Sequence, residues 1–188
     1  MESLAGRWDV VWKMTSRAET AVEANADTPC TANRTVLLHL AAAAVYCGDD
    51  ATASRLEAEA NAYGSKASGW HSDGARIRLA LARNDLTELR LLVDGVDFDP
   101  PRAFGFDRVP ALFDALVALG GREEIEAHAS QWMQDGTYTA PFALRALGVA
   151  RADSHLLREA AARFETIGLE WHSVETRKLV SQASSLSG

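Results

Sequence analysis

Apolar residues along most of this chain recur at the spacing of an amphipathic helix. Between Val36 and Val45 they fall at i, i+1, i+4, i+5, i+8 and i+9, which places them on one stripe of a helix. The segment from Leu156 to Ile167 shows the same spacing. No stretch combines β-branched residues with the apolar–polar alternation of a strand. The pattern therefore predicts an all-α fold.

A short turn signal recurs between the apolar stretches. It falls at Gly6, Gly48, Asn84, Gly120 and Ala152, and the spacings are 42, 36, 36 and 32 residues. A period of about 30–45 residues is typical of stacked helix pairs, none of which buries its apolar face alone. The chain is thus predicted to form one α-α superhelix of about five helix pairs over residues 1–188.

The repeat also predicts where the elements lie. We expect a first helix at 3–25, pairs at 31–47 with 50–63, 67–83 with 85–95, 107–119 with 121–134 and 139–150 with 153–167, a last helix at 170–183, and a frayed tail at 184–188. The first helix is then the second half of a repeat. Left-handed residues that close helices are expected at Gly6, Gly48, Asn84 and Gly120, and N-caps at Asp50, Asp85 and Asp153.

Charge and composition narrow the classes of function. The formal net charge is −7, from 19 basic and 26 acidic residues, and no third of the chain is basic. Nucleic acids and anionic membranes are disfavoured, because both require clustered Lys and Arg. The apolar run from Val36 to Cys47 is well short of the ~20 residues of a membrane span. No signal peptide is evident, and we interpret Cys30 and Cys47 as free thiols, so a cytoplasmic location is expected.

Two stretches carry a resemblance to a known family. The segments from Pro141 to Val149 and from Leu156 to His172 resemble tetratricopeptide-like (TPR-like) repeats. More narrowly, they are similar to the C-terminal repeat tails of bacterial LuxR-type and nucleotide-cyclase regulators that carry an ATPase domain. This chain lacks the Gly-x-x-x-x-Gly-Lys-Ser/Thr loop of such an ATPase, so only the scaffold carries over.

The resemblance implies a superhelix whose concave groove binds a partner. We therefore expect a protein–protein interaction scaffold, or the sensory tail of a bacterial signalling regulator, with arginines binding carboxylates of a protein or peptide. The alternative is a small-molecule-sensing repeat domain. Because the chain opens on a half repeat, its first helix needs a cover, so we also expect a fragment of a longer protein or a homodimer through that half repeat.

Catalytic and metal chemistry find little support in the sequence. The five histidines include no pair at i, i+4 and none with a cysteine at ligand spacing, so no metal site or cofactor is expected. The adjacent residues His71, Ser72 and Asp73 do not define a triad, because a triad depends on geometry and no nucleophile elbow is present. We expect a protein that is not an enzyme.

The candidate binding residues surround the irregular segment 97–106, which contains Pro100 and Pro101 and cannot continue a helix. Long loops often carry function. The candidates that we select as touching a partner or ligand are Trp70, Arg76, Phe98, Arg102, Phe104 and Phe106. The phenylalanines also fit a hydrophobic plug under the loop. Trp8 and Trp12 share one helix face and fit either a core position or a partner anchor.

Overall fold

The computed structural model describes residues 2–24, 31–63, 73–94, 98 and 107–186, and these residues form an all-α fold. The predicted fold class is thereby confirmed for this part of the chain. Its helices are α1 (Trp8–Lys13), α2 (Thr15–Glu23), α3 (Thr31–Tyr46), α4 (Asp50–Ala62), α5 (Asp73–Arg83), α6 (Leu86–Val93), α7 (Arg108–Leu119), α8 (Arg122–His128), α9 (Ala140–Arg151), α10 (Ser154–Thr166) and α11 (Glu170–Leu186), with a 3-10 helix at Ala129–Trp132. No helix in the described ranges is both long and apolar enough to cross a membrane.

Within the described residues, aspartate side chains act as N-caps of three helices. Asp85 and Asp153 each accept hydrogen bonds from two backbone N–H groups of the following turn, as predicted for N-caps. The prediction of Asp50 is wrong by one residue. Asp49 is the cap of α4 and accepts from the Thr52 N–H at 3.0 Å, while Asp50 is the first helical residue.

The turn signal predicts the backbone correctly. Gly6, Gly48, Asn84 and Gly120 all have positive φ, between +53° and +81°. Ala152 adopts the same left-handed conformation at φ +52°. The recurring signal therefore marks a left-handed residue at every one of its five positions.

The first predicted helix is divided in two. Residues 3–25 do not form one helix, because α1 ends at Lys13 and α2 begins at Thr15. At this break the Thr15 hydroxyl donates to the Trp12 carbonyl at 2.6 Å, and the Met14 N–H bonds to the Val11 carbonyl. The sequence shows neither Gly nor Pro there, so the break leaves no signal in the pattern.

The helices pack as successive antiparallel pairs. Helix α3 packs against α4 and α5, α5 against α6 and α7, α7 against α8 and α9, and α9 and α11 both against α10. This neighbour order is compatible with a superhelix. Because each pair runs up and down, α3, α5, α7 and α9 point the same way. We call these four helices and α11 the first-helix row.

The amino-terminal segment packs against α11. Trp8 stacks on Tyr46 of α3, with ring centroids 4.6 Å apart, and contacts Trp171 of α11 edge-on at 6.2 Å. Gly6 lies against the same indole. Trp8 is only 6% exposed, so it is a core residue. Tyr46 and Trp171 of the same chain cover Trp8, while a homodimer and a longer parent protein both stay predictions.

Candidate functional site

Two of the six predicted binding residues, Arg76 and Phe98, lie in the part of the chain that the structure describes. Arg76 lies on α5 and donates to Glu88 of α6 at 2.5 Å, so its guanidinium already binds a carboxylate of its own chain. Phe98 is buried and contacts Phe113 and His128. Trp70, Arg102, Phe104 and Phe106 lie outside the described residues, as do His71, Ser72 and Cys30.

The first-helix row carries a chain of buried polar side chains instead. We call Arg78, Asp114, Arg145 and His172 the polar ladder; they belong to α5, α7, α9 and α11 in that order. One oxygen of Asp114 accepts from Arg78 at 2.5 Å, and the other accepts from Arg145. Arg145 Nη1 lies 3.3 Å from Nδ1 of His172. The ladder therefore connects four successive helices of the row.

Burial and charge decide the protonation of the ladder. Burial alone would raise the pKa of Asp114, but the guanidinium groups of Arg145 and Arg78 outweigh it and hold the pKa below its usual range. Burial, with the neighbouring Arg145, lowers the pKa of His172 to about 3. Asp114 is thus a carboxylate and His172 a neutral imidazole at neutral pH. Arg78 and Arg145, which are 5% and 6% exposed, share the single negative charge of Asp114.

A second row of polar side chains lies on the amino-terminal side of the ladder. It contains His39, Asp107 and Tyr138. Asp107 and Tyr138 come seven residues before the ladder residues Asp114 and Arg145, and His39 comes seven residues before Tyr46 of α3. His39 Nε2 lies 3.0 Å from Asp107. Burial raises the pKa of Tyr138, and the charge of Asp107 raises that pKa further. Unlike the ladder, this row is partly exposed, with 17% of the His39 and 21% of the Asp107 side chain in solvent.

The amino-terminal ends of α5 and α7 meet beside these residues. Gly74 in the first turn of α5 packs so closely on Asp107 that an added Cβ would lie 2.8 Å from its carboxyl carbon. The positive dipole ends of these two helices therefore lie side by side, at a place that we call the N-terminal edge. Helix α3 reaches this edge at His39, eight residues after its own start at Thr31.

Two half-buried arginines at the starts of helices have no acidic partner among the described residues. Arg34 is in the first turn of α3 and Arg108 is the first residue of α7, and neither makes an ion pair or hydrogen bond with its side chain to the described residues. Their Nε atoms are buried and unpaired. By contrast, Arg55, Arg76, Arg83, Arg151 and Arg163 are all paired with carboxylates. Arg108 at the N-terminal edge and Arg34 at the start of α3 can therefore each bind a carboxylate from outside.

A cavity of ≈ 530 Å³ lies on the other side of α7. We call it the Phe98 cavity: Phe98, Leu116 and Leu119 provide apolar lining, and Arg90 and His128 also border it. Among the described residues, no three His, Cys, Asp or Glu side chains are grouped to hold a metal ion, here or elsewhere.

Comparison with protein-family models, with curated proteins and with solved structures finds no match to this chain.

The polar ladder and the unpaired arginines were missed by the sequence analysis. Asp114 and Arg145 are charges flanked by apolar residues inside apolar helices, and that pattern marks a buried charge with a partner on another helix. Arg78 lies between Ile77 and Leu79, but Arg76 two residues earlier hides the same signal. Arg34 and Arg108 carry no comparable signal, because only the folded packing shows which arginines lack a partner.

Proposed function

We propose that this chain is a helical-repeat interaction module that binds an acidic segment of a partner protein at the N-terminal edge. The observation that carries the proposal is the pair Arg34 and Arg108. Both side chains are half-buried at the starts of parallel helices, and neither has a carboxylate partner in the described residues. The role is one of binding, and the chemistry is charge-assisted hydrogen bonding to carboxylates.

Three features of the edge support an anionic occupant. The helix dipoles of α5 and α7 place partial positive charge there. The two guanidinium groups add full positive charge. His39 is close by, and its Nδ1 is buried without a hydrogen-bond partner. An acidic segment would satisfy these groups; the carboxylate of Asp107, which also lies at this edge, is held by His39.

The polar ladder has a different role in this proposal. Its arginines are already bound to Asp114, so they are not free to bind a partner's carboxylate. They fix the relative positions of α5, α7 and α9, which in turn position the N-terminal edge. The setting that the TPR-like resemblance implies, a scaffold or the sensory tail of a bacterial regulator, remains part of the proposal.

The experiment uses fluorescence anisotropy with labelled peptides of equal length that alternate Ala with Glu, Gln or Lys. The Glu peptide should bind saturably and the other two should not. The double variant Arg34→Glu, Arg108→Glu should weaken that binding by about tenfold or more, since each partly exposed charge pair contributes up to about 1 kcal/mol.

The matched control is Arg122→Glu, Arg158→Glu, which changes the net charge equally at exposed positions on α8 and α10. It should bind the Glu peptide like the wild type. Equal weakening in both double variants would mean that only net charge matters, and the N-terminal edge would then not be the site.

A second candidate function, small-molecule sensing, is favoured by the Phe98 cavity. Its volume of ≈ 530 Å³ lies in the range of small-ligand sites. Its lining combines an aromatic surface with charged groups, as such sites commonly do.

A further inference from the structure

The Phe98 cavity has a flat aromatic wall. The Phe98 ring stacks on His128 with centroids 4.5 Å apart and an angle of 9° between the planes. Phe113 supports Phe98 from within the core at 5.6 Å. Both rings are held between helices, so the wall is formed before any ligand arrives. Phe98 is only 6% exposed, so the planar surface that a ligand can reach is the half-buried ring of His128, which favours a planar group over a flexible chain.

The rest of the lining separates apolar from charged groups. Leu116 and Leu119 of α7 continue the apolar surface beside Phe98. Leu91 of α6 borders the cavity with 71% of its surface exposed, which is unusual for so large an apolar residue. Leu116 is already buried, so a ligand with an apolar body would remove Leu91 and the half-buried Leu119 from water.

The charged groups at the cavity are of both signs. Arg90 and Asp94 border it from α6 and its C-terminal end, and Glu124 borders it from α8. None of the three side chains makes an ion pair or a hydrogen bond within the described part of the chain. One cationic and two anionic groups are therefore available around a single apolar surface.

We propose that the Phe98 cavity binds a small aromatic molecule that carries both a carboxylate and an ammonium group, as a free aromatic amino acid does. The ring of the ligand packs against His128 and Leu119. Its carboxylate binds Arg90, and its ammonium group binds Glu124 and Asp94. This inference extends the second candidate function and does not depend on the N-terminal edge.

The test is calorimetric titration with four probes of one shape. L-phenylalanine carries both charges, phenethylamine lacks the carboxylate, phenylpropionate lacks the ammonium group, and propylbenzene lacks both. L-phenylalanine should bind at least about tenfold more tightly than each of the others, which corresponds to about 1.4 kcal/mol.

Two variants test which side chains bind the carboxylate and the ammonium group of the ligand. Arg90→Gln should reduce the affinity for L-phenylalanine to that for phenethylamine, and Glu124→Gln with Asp94→Asn should reduce it to that for phenylpropionate. Both changes are at exposed positions, and a thermal melt confirms folding. The control variant Arg158→Gln should leave the affinity for L-phenylalanine unchanged.

Two results would overturn the inference in different ways. If propylbenzene binds as tightly as L-phenylalanine, the cavity is a ligand site but the ligand class is wrong. If no probe binds to the folded protein, the cavity is not a ligand site for this class, and the second candidate function loses its support as well.

Discussion

Arg145 and His172 form a hydrogen bond that determines which ring nitrogen of the histidine carries the proton. The guanidinium only donates, so Nδ1 of His172, 3.3 Å from Arg145 Nη1, must be the acceptor. The proton is then on Nε2, which donates to the Leu4 carbonyl at 2.9 Å. A single neutral tautomer thus connects the polar ladder to the amino-terminal segment.

This tautomer predicts a pH dependence of stability. The pKa of His172 falls from 6.5 to about 3 on folding, so between these values the unfolded chain binds a proton that the folded chain does not. The free energy of unfolding is therefore fully retained above pH 6.5 and decreases as the pH falls, by up to about 1.4 kcal/mol per pH unit from this group.

Urea unfolding between about pH 5 and 6, above the range in which carboxylates titrate, should isolate this contribution. In the His172→Gln variant, the slope of the free energy of unfolding against pH should be smaller than in the wild type by the equivalent of about one bound proton. The two proteins share every other titratable group, so the difference reports His172. An identical slope in the two proteins would show that His172 is not held neutral by the fold.

The contact between Gly6 and Trp171 predicts a second effect on stability. Gly6 has φ +72°, and an added Cβ would lie 2.6 Å from the indole. Gly6→Ala should cost about 1–2 kcal/mol for the left-handed backbone and about 1–3 kcal/mol more for displacing Trp171. Chemical denaturation measures the sum.

Gly48→Ala is the matched control for that experiment. Gly48 has φ +81°, and an added Cβ there meets no atom within 4 Å. Gly48→Ala should therefore lower the free energy of unfolding only by the cost of the left-handed backbone. An equal decrease in the free energy of unfolding in the two variants would mean that the amino-terminal segment is not packed tightly on α11.

Asp114 is the residue whose loss the fold should tolerate least. Asp114→Asn leaves Arg78 and Arg145 buried without a counter-charge, and the expected loss in the free energy of unfolding is about 3–5 kcal/mol. Asp9→Asn, which removes an exposed pair with Lys13, should leave stability unchanged within error.

A triple variant keeps that prediction testable if Asp114→Asn does not fold. Arg78→Met, Asp114→Leu, Arg145→Met removes all three charges together and should be more stable than Asp114→Asn alone. If the triple variant is the less stable of the two, the cost does not come from uncompensated buried charge.

Ala152 offers a stabilising substitution. It is exposed and holds the left-handed position after α9 at φ +52°, where glycine is free of the Cβ strain. Ala152→Gly should raise the free energy of unfolding by about 0.5–1 kcal/mol, because relief of strain exceeds the added chain entropy. Ala162→Gly, at an exposed position within α10, should instead lower it by about 1 kcal/mol.

Local chemistry explains which parts of the fold could be predicted from the sequence. Helix periodicity and the turn residues are encoded within a few neighbours, so the all-α fold and the left-handed positions from Gly6 to Gly120 were predicted correctly. The break at Met14 and the exact cap at Asp49 depend on hydrogen bonds that no residue type dictates alone, and these were missed.

The candidate site was harder to predict for a physical reason. Arg76 and Arg78 are both arginines on α5, but they differ by about 200° around the helix. Arg76 meets Glu88 on α6, whereas Arg78 meets Asp114 on α7. Only the packing of neighbouring helices shows which arginine is bound to which carboxylate, and which arginines remain unpaired at the N-terminal edge.

The central claim is that Arg34 and Arg108 bind carboxylates of a partner, and a charge exchange tests it most directly. Anisotropy would compare the Glu and Lys peptides with the wild type and with Arg34→Glu, Arg108→Glu. We predict that the wild type binds only the Glu peptide and that the variant binds the Lys peptide in its place. A variant that still prefers the Glu peptide would contradict the account.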